Sequence, residues 1–143
     1  MKILVRLVLC LTLGLSPAAA AGLRSFTGQL VADRPAAVSV ENSGVRVTGY
    51  RFSRPLRGNG KVFKRDGEPT ITLTLKNESG DPRSFTLGVV LFDDDGNLVG
   101  AATEDPGKLE PGEETEATLT FRHLNRYASS ATRLQMSIEI RLD

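Results

Sequence analysis

The chain has 143 residues, of which 40% are apolar and 24% charged, the balance of an ordinary globular protein. That composition excludes a disordered chain and one embedded throughout in a membrane, and the length suits one domain better than two. The formal net charge is only +1, and no nucleic-acid partner is expected.

The first 21 residues carry Lys2 and Arg6, then the apolar run Leu7 to Leu15, then Ser16, Pro17 and the alanines Ala18 to Ala21. This is the build of a secretory signal peptide, with Ala19 and Ala21 meeting the small-x-small rule for cleavage before Gly22. The apolar run is far shorter than the ~20 residues that span a bilayer, so no transmembrane anchor is expected after cleavage. The expected mature chain is a single domain over 22–143, periplasmic or extracellular. Cys10 is the only cysteine and leaves with the leader. The exported protein therefore has no disulfide, and its stability must come from packing.

Leu23 to Val31 reads as an edge strand or as an arm, and periodicity does not decide between them. A short apolar pulse follows at Val38 and Val40. Val45 and Val47 then alternate with Arg46 and Thr48, leading to Gly49, Tyr50 and Phe52. The clearest strands lie downstream. Ile71, Leu73 and Leu75 alternate with threonines and Lys76, the period of two that sends one set of side chains inward. Phe85, Leu87, Val89 and Leu91 alternate with Thr86, Gly88, Val90 and Phe92. Both faces of that run are partly apolar, which predicts a central strand covered on both sides, or a partner for Val90 and Phe92. The alternation returns at Ala117, Leu119 and Phe121, and again over Leu134, Met136, Ile138, Ile140 and Leu142, one face dry and one wet.

Turn residues separate these runs. Asn77 to Pro82 is a polar turn, and Asp95-Gly96-Asn97, between the Leu91 run and Leu98-Val99, supplies residues that tolerate positive φ, predicting a tight hairpin. Glu110-Pro111-Gly112-Glu113 has the Pro and Gly placement of a type II turn. No stretch has a sustained helical period, and only His123 to Ala131 suits a helical turn. The expectation is an all-β fold, an immunoglobulin-like antiparallel two-sheet sandwich of about seven strands.

Charge is arranged in blocks. Gly22 to Arg65 holds nine basic and two acidic residues, whereas Asp66 to Asp143 holds seven basic and fifteen acidic. The densest piece contains Arg51, Arg54, Arg57, Lys61, Lys64 and Arg65 with no carboxylate. These six are candidate binding residues for an anionic surface, or they face the acidic loops of the same domain. Val90 and Phe92 complete the candidate set.

Chemistry-bearing patterns are sparse. Asp93-Asp94-Asp95-Gly96-Asn97 has the oxygen-rich look of a calcium loop, but its glycine falls at the wrong place for an EF-hand, and a hairpin turn accounts for the same residues. His123 is the sole histidine; with no mature cysteine, zinc has too few ligands, and the serines lack a nucleophile elbow. Pairs such as Glu113 with Glu114 and Glu104 with Asp105 read as acidic turns rather than as a glycosidase dyad. Gly58-Asn59-Gly60-Lys61 departs from a phosphate-binding loop. Asn77-Glu78-Ser79 matches the N-glycosylation sequon. No catalytic residue, metal or cofactor is expected.

From Thr70 to Phe121 the order is a strand ending in Lys76-Asn77, a polar turn, a long strand ending in Phe92-Asp93, an Asp-Gly-Asn hairpin, then Leu109-Glu110-Pro111-Gly112-Glu113 and another strand. This order resembles the FxLYD-type domains, extracytoplasmic sandwiches of immunoglobulin or fibronectin type III-like fold, although Asp93 stands where such domains carry a Tyr. The resemblance implies that Leu109 plugs into the core before the following strand, and that the chain is a non-catalytic binding or structural module. The expected partner is an envelope or extracellular protein. The alternative is a small-ligand or polyanion-binding protein acting through the basic segment over 51–65.

Overall fold

Each alternating run becomes a strand with its apolar set on one face in the computed structural model, which describes residues 23–54, 68–122, 124 and 130–141. In chain order the strands are β1 (Leu23–Gln29), β2 (Pro35–Asn42), β3 (Val45–Ser53), β4 (Thr70–Asn77), β5 (Arg83–Phe92), β6 (Leu98–Leu109), β7 (Glu114–Thr120) and β8 (Arg133–Arg141). They form two four-stranded sheets, β1-β8-β5-β6 (sheet A) and β2-β3-β4-β7 (sheet B), and every pairing of neighbours is antiparallel. The fold is the expected two-sheet sandwich, with eight strands among the described residues where about seven were read from sequence.

The core lies between the sheets. Ile71, Leu73, Leu75 and Leu119 from sheet B meet Phe85, Leu87, Val89, Leu91, Leu134, Met136 and Ile138 from sheet A, and all are fully buried. Phe52, Phe85 and Phe121 are the largest fully buried side chains in it. Each such side chain contributes about 1.5–3 kcal/mol by leaving water, so dry packing supplies the cohesion that a disulfide does not.

β1 answers the question its sequence left open. It pairs in seven-residue register with β8, so the start of the described chain lies beside its last strand. None of its residues is fully buried; the ladder and the half-buried Phe26 hold it. The corner from β1 to β2 is tied across the sheets. The Tyr50 hydroxyl donates to the Gln29 carbonyl at 2.6 Å, and the Asp33 amide donates to the Phe52 carbonyl at 2.8 Å. Asn42, almost fully buried on β2, donates its side-chain amide to the Ile138 carbonyl of β8 at 3.0 Å.

A single extra residue explains why β3 lacks one continuous alternation. Val47 pairs with Leu75 and Gly49 with Thr74, which leaves Thr48 as a β-bulge. The bulge moves the inward set from Val45 and Val47 to Tyr50 and Phe52, so all four side chains are buried.

β6 departs further from the sequence reading. Asp105-Pro106-Gly107 carries the letters of a turn, yet it lies inside a strand of 12 residues. The register against β5 jumps there, Phe85 pairing with Gly107 and Leu87 with Glu104. Because β6 is an edge strand, Pro106 forfeits no inner ladder bond, and the irregularity guards the edge against pairing with another chain.

The turns follow their residues. Ser43 and Gly44 both have positive φ between Asn42 and Val45, as a two-residue hairpin of type I′ requires. Gly112 has φ 76° and the Glu113 amide donates to the Glu110 carbonyl at 3.0 Å, as expected of the Pro-Gly turn. Leu109 is 3% exposed, the plug that the FxLYD resemblance implies.

Candidate functional site

The Thr48 bulge has a second effect, on the outer face of sheet B. Around it opens a groove of about 470 Å³. Pro35 to Ala37 of β2, Thr48 to Arg51 of β3, Thr72 and Thr74 of β4 and Glu116 of β7 line it. Gly49 keeps it open: a Cβ there would stand 3.3 Å from the Ala36 carbonyl oxygen and 4.0 Å from Thr74 Oγ1.

The groove has a cation at one side and a carboxylate at the other. Arg51 is level with Thr72 and Thr118, whereas Glu116 is level with Thr74. With strands ~4.8 Å apart and a rise of ~3.3 Å per residue, their Cα atoms stand about 12 Å apart, diagonally across β4. Neither side chain forms an ion pair or hydrogen bond among the described residues. Between them Thr72 shares a hydrogen bond with Thr118 at 3.1 Å, and the Thr74 hydroxyl makes no hydrogen bond within the described chain. The arrangement offers a cation, an anion and a hydroxyl to a polar ligand.

The two described members of the basic block, Arg51 and Arg54, have different surroundings. Arg51 faces the groove, while the Arg54 guanidinium sits over the Phe52 ring, 5.9 Å from its centroid, in cation–π contact. Arg46 pairs with Glu78 at 2.8 Å, a bond between the basic and acidic halves of the sequence. Arg57, Lys61, Lys64 and Arg65 lie outside the described residues, as do the first 22 residues and His123.

Val90 and Phe92 are brought together on the outer face of sheet A. β5 is central, between β8 and β6, as expected. Val90 stands between Gln135 and Ala101, and Phe92 between Arg133 and Leu98. Both are half-buried, and Leu98 beside them is 66% exposed.

The acidic turn after Phe92 is closed on itself. Asp93 accepts hydrogen bonds from the Asn97 backbone amide at 2.8 Å and from its side-chain amide at 3.0 Å. The Asn97 side chain first, and then its backbone, hold the Asp93 carboxyl below its ordinary pKa. Both carboxylate oxygens of Asp93 thus serve the turn. No group of three His, Cys, Asp or Glu side chains is placed to hold a metal ion among the described residues.

The sequon asparagine is a structural hub. Asn77 is fully buried, and its amide nitrogen donates to the Asp81 and Leu109 carbonyls at 2.8 and 2.9 Å. Its side-chain oxygen accepts from the Ser79 amide and hydroxyl. Both N–H hydrogens are committed inside the fold.

Sequence reading singled out Arg51 but not Gly49, Thr74 or Glu116. The available signal was a glycine inside a strand pattern, which marks a bulge or close backbone approach. The pairing of β4 with β7, which brings Glu116 to the groove, joins residues some forty positions apart and leaves no local mark.

No protein-family model matches the chain, and no curated protein does. Among solved structures, it is similar to the crystal structure of a DUF1425 family member from Shewanella sp. pv-4 at 1.81 Å resolution. The two are 16% identical, the match covers 81% of this chain and 96% of that one, and the TM-score is 0.34.

Proposed function

We propose that this chain is an exported, non-catalytic β-sandwich module of the FxLYD type that binds a protein of the cell envelope or extracellular space. Export rests on the charged, apolar and alanine-rich order of the first 21 residues. The FxLYD reading is supported by Leu109 seated in the core directly before its Pro-Gly turn. The observation that carries the binding role is the groove on sheet B, where Arg51 and Glu116 face solvent without a partner in the described chain. Two ionised groups with no partner among the described residues leave their charge available to a complementary surface.

The test is capture from an envelope or culture-supernatant fraction by the mature chain, against Gly49→Val, which fills the groove floor without entering the core. A defined protein retained in stoichiometric amount by wild type and lost from the variant, with both folded by circular dichroism, is the expected result. Equal retention by the two chains, or none at low salt, overturns the reading. Retention on heparin resin that Gly49→Val does not change would instead point to the polyanion-binding alternative through the basic segment.

A further inference from the structure

The groove also constrains the chemistry of what lies in it. This inference rests on the reading of the groove as a protein-binding site. Its two charges are opposite in sign and about 12 Å apart at the backbone, on strands whose side chains leave the sheet side by side. A purely acidic ligand would satisfy Arg51 and bring a like charge to Glu116; a purely basic one would do the reverse. The complementary ligand therefore carries both signs. In an extended peptide, side chains on one face recur every second residue, so positions i and i+4 stand ~13 Å apart, whereas i and i+2 stand only ~7 Å apart. Between the charges, Thr74 presents a hydroxyl that both donates and accepts, suited to a peptide group passing over it.

We propose that the occupant is an extended peptide segment of a protein partner, with an acidic side chain on Arg51 and a basic side chain on Glu116, four residues apart. Gly49 belongs to the same device, because the missing side chain lets the segment's backbone approach the sheet.

The probe is a blocked nonapeptide of serine and alanine with one glutamate and one lysine four positions apart, titrated into the mature chain at low salt by NMR. Saturable shifts at the amides of Gly49, Arg51, Thr74 and Glu116 are expected. Arg51→Glu or Glu116→Arg alone should weaken binding about tenfold, as each turns an attraction into a repulsion. The double reversal should recover it, with the peptide lying in the opposite direction. Arg51→Gln and Glu116→Gln, which leave the sheet face neutral, should weaken it about threefold each. Equal binding of an all-acidic peptide, equal binding of the peptide with adjacent charges, or no saturable shift overturns the inference. If a captured protein is lost from Gly49→Val yet indifferent to both charge reversals, the protein-binding reading stands and this inference alone falls.

Discussion

Asn77 and Leu109 are joined by a buried hydrogen bond, the Asn77 side-chain amide donating to the Leu109 carbonyl at 2.9 Å. The bond ties the end of β4 to the residue that enters the core before the Pro-Gly turn. The Gly112 amide donates to the Asn77 carbonyl at 2.8 Å, and the Asn77 amide to the Glu113 carbonyl at 2.9 Å, so the asparagine is held by backbone and side chain alike.

Replacing Asn77 by Ala should therefore cost about 2–3 kcal/mol, because the buried Leu109 carbonyl loses its donor and the turn from Ser79 to Asp81 loses its anchor. Chemical denaturation at neutral pH measures it. In a host that glycosylates the sequon, the soluble, folded product should be unmodified at Asn77, as intact mass spectrometry would report. A glycan on folded protein would contradict the buried amide.

Tyr50 should give a signature at alkaline pH. Burial raises its pKa above the ordinary 10.0. A raised folded pKa means stability that is full below the unfolded value and is lost as pH climbs through the folded one. Tyr50→Phe should lose about 1 kcal/mol at pH 7 with the hydrogen bond to Gln29. The variant should also show a shallower decline in melting temperature above pH 10 than wild type. An unchanged alkaline slope would refute the assignment.

Asp105 should act at the other end of the scale. Its hydrogen bond with the Arg141 side chain, at 2.6 Å, and then one from the Gly107 amide hold the carboxyl below its ordinary value of 3.8. A depressed folded pKa stabilises above the unfolded value, and the effect is lost as pH falls from there through the lower folded value. Asp105→Asn should melt somewhat below wild type at pH 7, and the gap should close as pH is lowered below about 4. A gap independent of pH would show that the pair contributes through packing alone.

Leu109→Ala should cost about 2–5 kcal/mol, the range for a truncated core leucine. The groove variant Arg51→Gln should change stability by less than about 0.5 kcal/mol, since its side chain has no partner to lose among the described residues. Urea unfolding of both chains makes the comparison, and a large loss in Arg51→Gln would place Arg51 in the framework instead of the groove.

How much was legible in the chain itself differs from element to element. β4, β5, β7 and β8 were readable because each lies in one register with an apolar partner face, so the period of two survives intact from Ile71 to Leu75 and from Leu134 to Ile140. β6 was read only at its start, because its bulges and Pro106 erase the alternation. The Pro-Gly turn and the Asp93 to Asn97 turn were legible because their backbone angles depend on local residues.

The amino-acid order thus determined the fold class, the dry core faces and the turn positions, all consequences of side chains within a few residues of one another. Tertiary structure alone decided that β1 closes sheet A beside β8, that Arg54 covers Phe52 while Arg51 faces a groove, and that Glu116 lies opposite it. Those outcomes depend on which strands become neighbours, and on one extra residue at Thr48. Strand partnership is settled by the packing of the whole core, so no local pattern encodes it.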